Sequence, residues 1–311
     1  MSPATTEGRE RPICDYEGST YRTDFWEGQG REYEDLAERA ALRALLPPEG
    51  GRLLDIGAGF GRLAALYGGY RQVVLLDYSF SQLQYARQRL GDEGFVYVAA
   101  DIYRLPLGTH TVDTTVMVRV LHHLVDVPLA FRQIGRVTRP GGTFVLEFAN
   151  KRHLKNLVRH LLGRGVNPFA PEPYAFASLH YDYHPDWIRQ RLGAEGLEAE
   201  EARSVSFFRL GALKRAVSPG ALARLDAALQ RPLAPLAVAP SHFYRCRVAT
   251  TGDAKAASGE LAFRCPSCDH EPLERVAAGW TCGRCAAHWP IIDGIHVFKD
   301  VAAVDAVAGN G

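Results

Sequence analysis

Apolar positions along the chain keep two alternating periods. Tyr33, Leu36, Ala37, Ala40, Ala41, Ala44 and Leu45 recur at helical spacing until Pro47 and Pro48 stop them, which predicts one helix ahead of the first strand. Short runs apolar on both faces follow at 52–56, 73–77, 95–98, 112–118 and 143–148, separated mostly by helical stretches. Strands of that kind alternating with helices predict a buried, mostly parallel sheet in a doubly wound α/β architecture. Boundary residues agree with the periods. Ser79 with Gln82 has capping-box spacing, Pro128 falls just inside the next helix after Asp126, and Pro140-Gly141-Gly142 is expected to end that helix.

Past residue 150, Leu154, Leu157, Val158, Leu161 and Leu162 return to helical spacing. A loop rich in Pro and aromatic residues runs to His184, and a further helix holds Trp187, Ile188 and Leu192. Runs at 205–209 and 243–248 read as two final strands around a helix starting at Ser218-Pro219, for seven strands in all. The small, polar stretch 250–260 reads as a linker. The expected organisation is thus a large unit over 1–249, the linker, a small cysteine-bearing unit over 261–299 and a disordered tail over 300–311.

A length of 311 residues suits one α/β unit plus something smaller. With 36 Lys and Arg against 35 Asp and Glu, the net charge of +1 gives no long-range field to gather nucleic acid or anionic lipid, so such a partner needs a local patch. Residues 1–11 carry charge and Pro without an apolar core, and no run approaches membrane-span length, from which a soluble, cytoplasmic protein is expected. Four of six cysteines form two Cys-x-x-Cys pairs, which favours metal over disulfides.

The chemistry centres on Asp55-Ile56-Gly57-Ala58-Gly59-Phe60-Gly61, where a strand runs into a glycine loop expected to open directly into a helix. Backbone amides there can approach a ligand that a side chain would block. Asp77, about twenty positions after the first glycine, ends the second strand, where such sheets hold a carboxylate against a ribose diol. Glycines alone could simply make a tight turn, and this spacing by itself fits a dinucleotide or adenosylmethionine. The Gly-x-Gly-x-Gly string departs from the Gly-x-Gly-x-x-Gly of nicotinamide and flavin proteins.

Taken with Asp101-Ile102, Leu105-Pro106-Leu107, Val120-Leu121-His122-His123 and Arg139-Pro140-Gly141-Gly142, the string resembles class I S-adenosylmethionine-dependent methyltransferases over about 21–149. The core is similar to the quinone-biosynthesis type. The resemblance implies a Rossmann-like seven-stranded sheet and S-adenosylmethionine as cofactor. It implies Asp55, Gly57, Gly59 and Gly61 near the methionine end, Asp77 on the ribose, and Asp101 with Ile102 at the adenine. Tyr21, Arg22, Trp26, Arg31 and Tyr33 resemble the N-terminal approach segment of such enzymes, and Arg31 is either a partner for the methionine carboxylate or an exposed helix-end residue.

Methyl transfer from a sulfonium rests on alignment and exclusion of water, with a base optional. His122 and His123, after the fourth strand, are the candidate bases. His180, Tyr181, Tyr183 and His184 form a second cluster near the same rim, or merely open the helix begun by Pro185. Lys151, Arg152, His153, Lys155, Arg159, His160 and Arg164 decorate one short amphipathic helix. It could hold phosphate, RNA, an anionic lipid surface or a carboxylated substrate, or be a solvated face over an apolar stripe.

Cys265-Pro-Ser-Cys268 and Cys282-Gly-Arg-Cys285, 13 residues apart, can bring four thiolates into a tetrahedron for structural zinc. Iron with the same ligands or a redox dithiol are the competitors. Metal would supply much of the folding free energy of so small a unit. The string Trp289-Pro290-Ile291-Ile292-Asp293-Gly294-Ile295 resembles the end of small zinc-ribbon proteins that activate methyltransferases as separate subunits. The leading expectation is methylation of a small molecule or lipid-like intermediate. RNA or a translation protein as acceptor, and a non-catalytic adenosylmethionine-binding scaffold, are the alternatives.

Overall fold

The computed structural model describes residues 11–19, 29–250 and 259–299. Tyr21, Arg22 and Trp26, most of the expected linker and the expected tail lie outside them. Helix α1 (Glu32–Leu45) leads into β1 (Gly50–Ile56), β2 (Tyr70–Asp77), α2 (Phe80–Leu90), β3 (Phe95–Ala100), β4 (Val112–Met117), α3 (Val127–Val137) and β5 (Thr138–Ala149). After these come α4 (Leu154–Leu161), the short hairpin β6 (Tyr174–Ala177) and β7 (His180–Asp182), α5 (Pro185–Ala194) and β8 (Leu197–Val205). Helices α6 (Gly211–Ala216) and α7 (Pro219–Gln230) precede β9 (Ser241–Val248). The last segment holds β10 (Glu274–Val276), β11 (Gly279–Thr281), β12 (His288–Ile292) and β13 (Ile295–Phe298).

The sheet runs β10-β11-β12-β13-β3-β2-β1-β4-β5-β9-β8. Strands β3, β2, β1, β4 and β5 are parallel, and β9 enters antiparallel between β5 and β8. Every residue of β4 is buried, as the double-faced apolar runs require of a parallel sheet covered by helices. The order of β1 and β4 places two neighbouring strands whose connections leave in opposite directions, and the crevice beyond their carboxyl ends is where such sheets bind ligands.

Eleven strands replace the expected seven, because the last segment joins the same sheet: β13 pairs in parallel with β3 from Ile295 opposite Tyr97 to Phe298 opposite Ala100. Phe263, Cys265, Leu273, Cys282 and Phe298 pack in one core cluster with Leu54 and Val98. Backbone bonds from Gly108 to Ala262 (2.9 Å) and from Arg264 to Pro106 (2.8 Å) fix the start of this segment to the loop after β3.

Three local expectations differ from the structure. The glycine loop opens into turns and one short 3-10 turn at Ala64–Leu66 instead of a helix, since Gly57, Gly59 and Gly61 all have positive φ, which a right-handed helix cannot use. Helix α3 stops at Val137, before Pro140-Gly141-Gly142, which lies inside β5. Proline restricts the residue before it to extended backbone, and a Cβ on Gly142 would meet the carbonyl oxygens of Arg139 and Asp113 at 2.8 Å. The strand expected at 205–209 is instead Leu197–Val205, ending where Ser206 takes φ 72°. Its Glu198, Glu200, Glu201 and Arg203 belong to the sheet's outer edge, so the apolar alternation there is thin.

The capping signals hold in part. Ser79 Oγ accepts from Gln82 N at 3.4 Å, while the Gln82 side chain turns to the Ser19 carbonyl instead of closing the box. Asp126 caps α3 through Leu129 N at 3.1 Å.

Candidate active site

The glycine loop is built by its neighbours. Gly57 N and Ala58 N both donate to the Leu76 carbonyl, at 2.8 and 3.1 Å, which holds the end of β1 against the end of β2. A Cβ on Gly57 would meet Val120 Cγ2 at 2.1 Å, whereas one on Gly59 would meet nothing within 4 Å. Gly57 is therefore a packing requirement, and Gly59 leaves open space over a cavity lined by Asp55, Asp77, Asp101, Ile102 and residues 57–60 of the loop, whereas Gly61 does not line it and a Cβ there would meet Leu90 Cδ1 at 2.8 Å.

Asp77 supports that loop directly. Its Oδ2 accepts from Gly59 N at 2.7 Å and its Oδ1 from Ser79 N at 2.9 Å. Each oxygen keeps a second lone pair for a ligand hydroxyl. Burial raises its pKa, as it does that of Asp101, whose Oδ1 accepts from Tyr103 N at 2.8 Å so that Ile102 is presented to the cavity. Asp55 is buried and pushed up to about 7, with Tyr67 Oη donating to it at 2.9 Å.

The segment 11–19 crosses the mouth of this cavity, with Pro12, Ile13, Cys14 and Tyr16 in its wall. It is tied along its length. Arg11 Nε meets Asp126 Oδ2 at 3.0 Å, Glu17 accepts from Phe80 N and Ser81 N at the start of α2, and Tyr16 Oη lies 3.2 Å from His123 Nε2. Sequence reasoning passed over this strap, which has no periodicity, and looked to Arg31 and Tyr33. Arg31 precedes α1 without a side-chain capping bond and Tyr33 is buried, its Oη donating to Asp226 Oδ2 at 2.6 Å. Neither lines the cavity.

A second cavity abuts the first. Tyr16, Arg119 and His123 line both. Its other wall residues include His122, His180, Asp182, Glu147 and Arg209. Asp182 is pushed up to about 6 by burial. Arg119, two residues beyond the end of β4, has φ 61°. Its N donates to Glu147 Oε2 at 2.9 Å and its guanidinium pairs with Glu38.

The two histidines of the short turn Leu121–His123 differ. His123 is used on both nitrogens, Nδ1 lying 2.9 Å from the Leu179 carbonyl and Nε2 beside Tyr16 Oη. That carbonyl can only accept, so the proton sits on Nδ1. His122 packs against it, the rings tilted by 49° with centroids 3.9 Å apart, and faces the second cavity. Burial, then the neighbouring His123 and Arg119, push His122 well below the ordinary imidazole range, so it is neutral at pH 7. From the second cluster His180 joins this cavity. Tyr183 is buried with Oη donating to the Leu121 carbonyl at 3.0 Å, and His184 caps α5.

The four cysteines converge. Their sulfurs lie within 4.8 Å of one another, with Cys265 to Cys285 at 3.7 Å and Cys268 to Cys282 at 3.5 Å. Tetrahedral zinc with bonds of about 2.3 Å sets sulfurs about 3.8 Å apart, so the donor set fits such an ion. Each pair sits in a tight turn, with Asp269 N donating to the Cys265 carbonyl and Ala286 N to the Cys282 carbonyl, both at 2.9 Å.

Residues 54–146 match a family model described as a methyltransferase domain. The ubiquinone/menaquinone biosynthesis C-methyltransferase UbiE of Teredinibacter turnerae is 37% identical over 113 residues, covering 33% of this chain and 45% of that protein. The chain thus spans less than half the length of that relative. An S-adenosylmethionine dependent methyltransferase from Mesorhizobium loti superposes with a TM-score of 0.53 at 25% identity, over 68% of this chain and 97% of that one. A chain from a Haloferax volcanii complex between a methyltransferase activator and a methyltransferase gives 0.51 at 19% identity, over 72% and 95%. Residues 54–146 thus resemble a methyltransferase domain, set in a fold that the chain shares with an S-adenosylmethionine dependent methyltransferase.

Proposed function

We propose that the protein is an S-adenosylmethionine-dependent methyltransferase that methylates a small or lipid-like molecule held in the cavity of His122. The observation that carries this reading is the shared wall of Tyr16, Arg119 and His123, which sets an acceptor cavity directly against the glycine-loop cavity. S-adenosylmethionine supplies a methyl group already activated by its sulfonium charge. In this reading the chain's residues bind and align. Gly59 leaves room for the cofactor, Asp77 accepts from its ribose hydroxyls, and Asp101 and Ile102 border its adenine. The strap 11–19 excludes water from the reacting centre.

An acceptor carbon or oxygen that gains a methyl group loses a proton, and the His122 ring, neutral and engaged in no hydrogen bond among the described residues, is the base that takes it. His123 is a positioning residue that fixes the strap through Tyr16. The printed name of the Teredinibacter turnerae relative, a quinone-biosynthesis C-methyltransferase, supports an aromatic carbon as acceptor.

We read residues 261–299 as a structural zinc module attached to a methyltransferase unit over 1–249, resembling a methyltransferase activator carried in the same chain. Four cysteine ligands leave zinc no open position for chemistry. A Haloferax volcanii protein of this fold in complex with a separate activator supports the comparison.

Isothermal titration tests the cofactor reading, with 1:1 binding of S-adenosylmethionine expected. Absence of binding overturns it. Labelled S-adenosylmethionine incubated with cell extract, and either the wild type or Gly59→Arg, then identifies the acceptor. A labelled RNA or protein product in place of a small molecule overturns the acceptor class, and cofactor binding without any turnover favours a scaffold.

A further inference from the structure

Helix α4 is amphipathic, yet none of its residues is buried. A surface helix ordinarily turns its apolar stripe to the core. Here the stripe of Leu154, Val158, Leu161 and Leu162, spaced i, i+4, i+7 and i+8, is 60%, 46%, 83% and 68% exposed. Scattered exposed leucines are normal, but a contiguous apolar row rimmed by charge marks an interaction site.

The rim has one sign. Between residues 151 and 171 there are five Lys and Arg and no Asp or Glu, in a chain whose overall charge is close to zero. Lys155 and Arg159 stand beside the stripe on the solvent side. Lys151 plays a different part: it is buried, and its Nζ donates to the Ala170 and Glu172 carbonyls at 2.7 and 2.5 Å. These two bonds hold the following loop against the root of α4. The loop contributes Phe169, 56% exposed, with the His160 ring and the Arg152 guanidinium each 5.9 Å from its ring. The face therefore combines projecting apolar side chains, flanking cations and a braced base.

We propose that α4 and the loop through Phe169 dock on an anionic lipid bilayer. The helix lies flat, with its leucines at the acyl boundary and Lys155, Arg159 and Arg164 at the headgroup phosphates. Among the described residues no helix is long and apolar enough to cross a membrane, and a helix of eight residues spans only about 12 Å, which suits in-plane binding. RNA is the weaker match for the same cations, because the apolar row would then stay in water. The position gives docking a use. His153, just before α4, and Phe176 of β6 line the cavity of His122, so the cavity's rim is turned toward the bilayer and a lipid-like acceptor enters from it. Only this last step rests on the proposed methyltransferase reading; the docking itself does not.

Vesicle co-sedimentation with the whole chain tests it, using phosphatidylcholine alone and phosphatidylcholine with about one-third phosphatidylglycerol. The wild type is expected to partition onto the anionic vesicles, less so as salt rises. The double variant Leu161→Asp with Leu162→Asp and the double variant Lys155→Glu with Arg159→Glu should each weaken binding about tenfold. These side chains are exposed, and circular dichroism checks that the variants fold. No partition of the wild type, or partition untouched by both variants, overturns the proposal. So does a dimer in light scattering that Leu161→Asp dissociates, which would assign the stripe to a second copy, and so does tighter retention on single-stranded RNA than on vesicles. A normal vesicle result with no S-adenosylmethionine binding by titration overturns the enzymatic reading and leaves the docking face intact.

Discussion

Two glycines of one loop serve opposite ends, and substitution separates them. Gly57→Ala drives a methyl group into Val120 Cγ2 at 2.1 Å, so differential scanning fluorimetry should report a melting temperature lowered by several degrees. Gly59→Arg projects into the open cavity instead; it should fold, at a backbone cost of about 1–2 kcal/mol for its positive φ, while titration shows S-adenosylmethionine affinity reduced more than about tenfold. A matching split is expected for the histidines. His122→Ala should lower kcat about a hundredfold with the cofactor Kd unchanged, whereas His123→Ala should loosen the strap and raise that Kd. That Gly57, Gly59, Asp77 and Asp101 converge on one cavity was legible in the sequence, because all four fall at the carboxyl ends of neighbouring strands. Which histidine is engaged was not legible. That depends on Tyr16 and on the Leu179 carbonyl, which are distant in sequence and reach His123 only through the fold.

Elements with a clean period were readable, and those at the margin of the sheet were not. Strand β2 announces itself by an apolar run on both faces, and β1 by its Leu53-Leu54 and Ile56. Strand β8 does not, since its Glu198, Glu200, Glu201 and Arg203 belong to an outer strand with one wet face, and its pairing with β9 alone defines it. The interior around these outer strands carries polar groups whose removal has readable consequences. Tyr33 Oη donates to Asp226 and accepts from Phe208 N at 2.9 Å, joining α1, α7 and the end of β8. Tyr33→Phe should cost about 1–3 kcal/mol in denaturant unfolding. In β9, His242 is buried against Phe148 and Tyr244, and burial pulls its pKa down to about 3. The unfolded chain takes up that proton near pH 6.5 and the folded one does not. Stability present above pH 6.5 is therefore lost as pH falls toward 3, by up to about 1.4 kcal/mol per pH unit for this one group. Thermal melts between pH 7 and pH 4 should show the decline, and His242→Asn should flatten it; an unchanged slope would exclude this residue as its source.

At the scale of the whole molecule, the cysteine segment is a continuation of the central sheet. Its ligand spacing was plain in the sequence, but its seat was not, because the pairing of β13 with β3 joins residues almost two hundred positions apart. If the four cysteines hold zinc as proposed, removing it should therefore be felt across the molecule. A strong chelator, or Cys265→Ser with Cys282→Ser, is expected to release one zinc per chain, lower the melting temperature and raise amide exchange over 95–100. Exchange confined to 261–299 would mean that the ion stabilises its own loops alone. The same pairing has a consequence for quality control. While β13 is undocked, β3 is an outer parallel strand bearing Val96, Val98 and Ala100, and its row of unpaired amides and carbonyls is a template for another chain's strand. Metal shortage would then endanger the protein first through self-association at that edge. Its amount in soluble form would track zinc supply before its catalytic constants did.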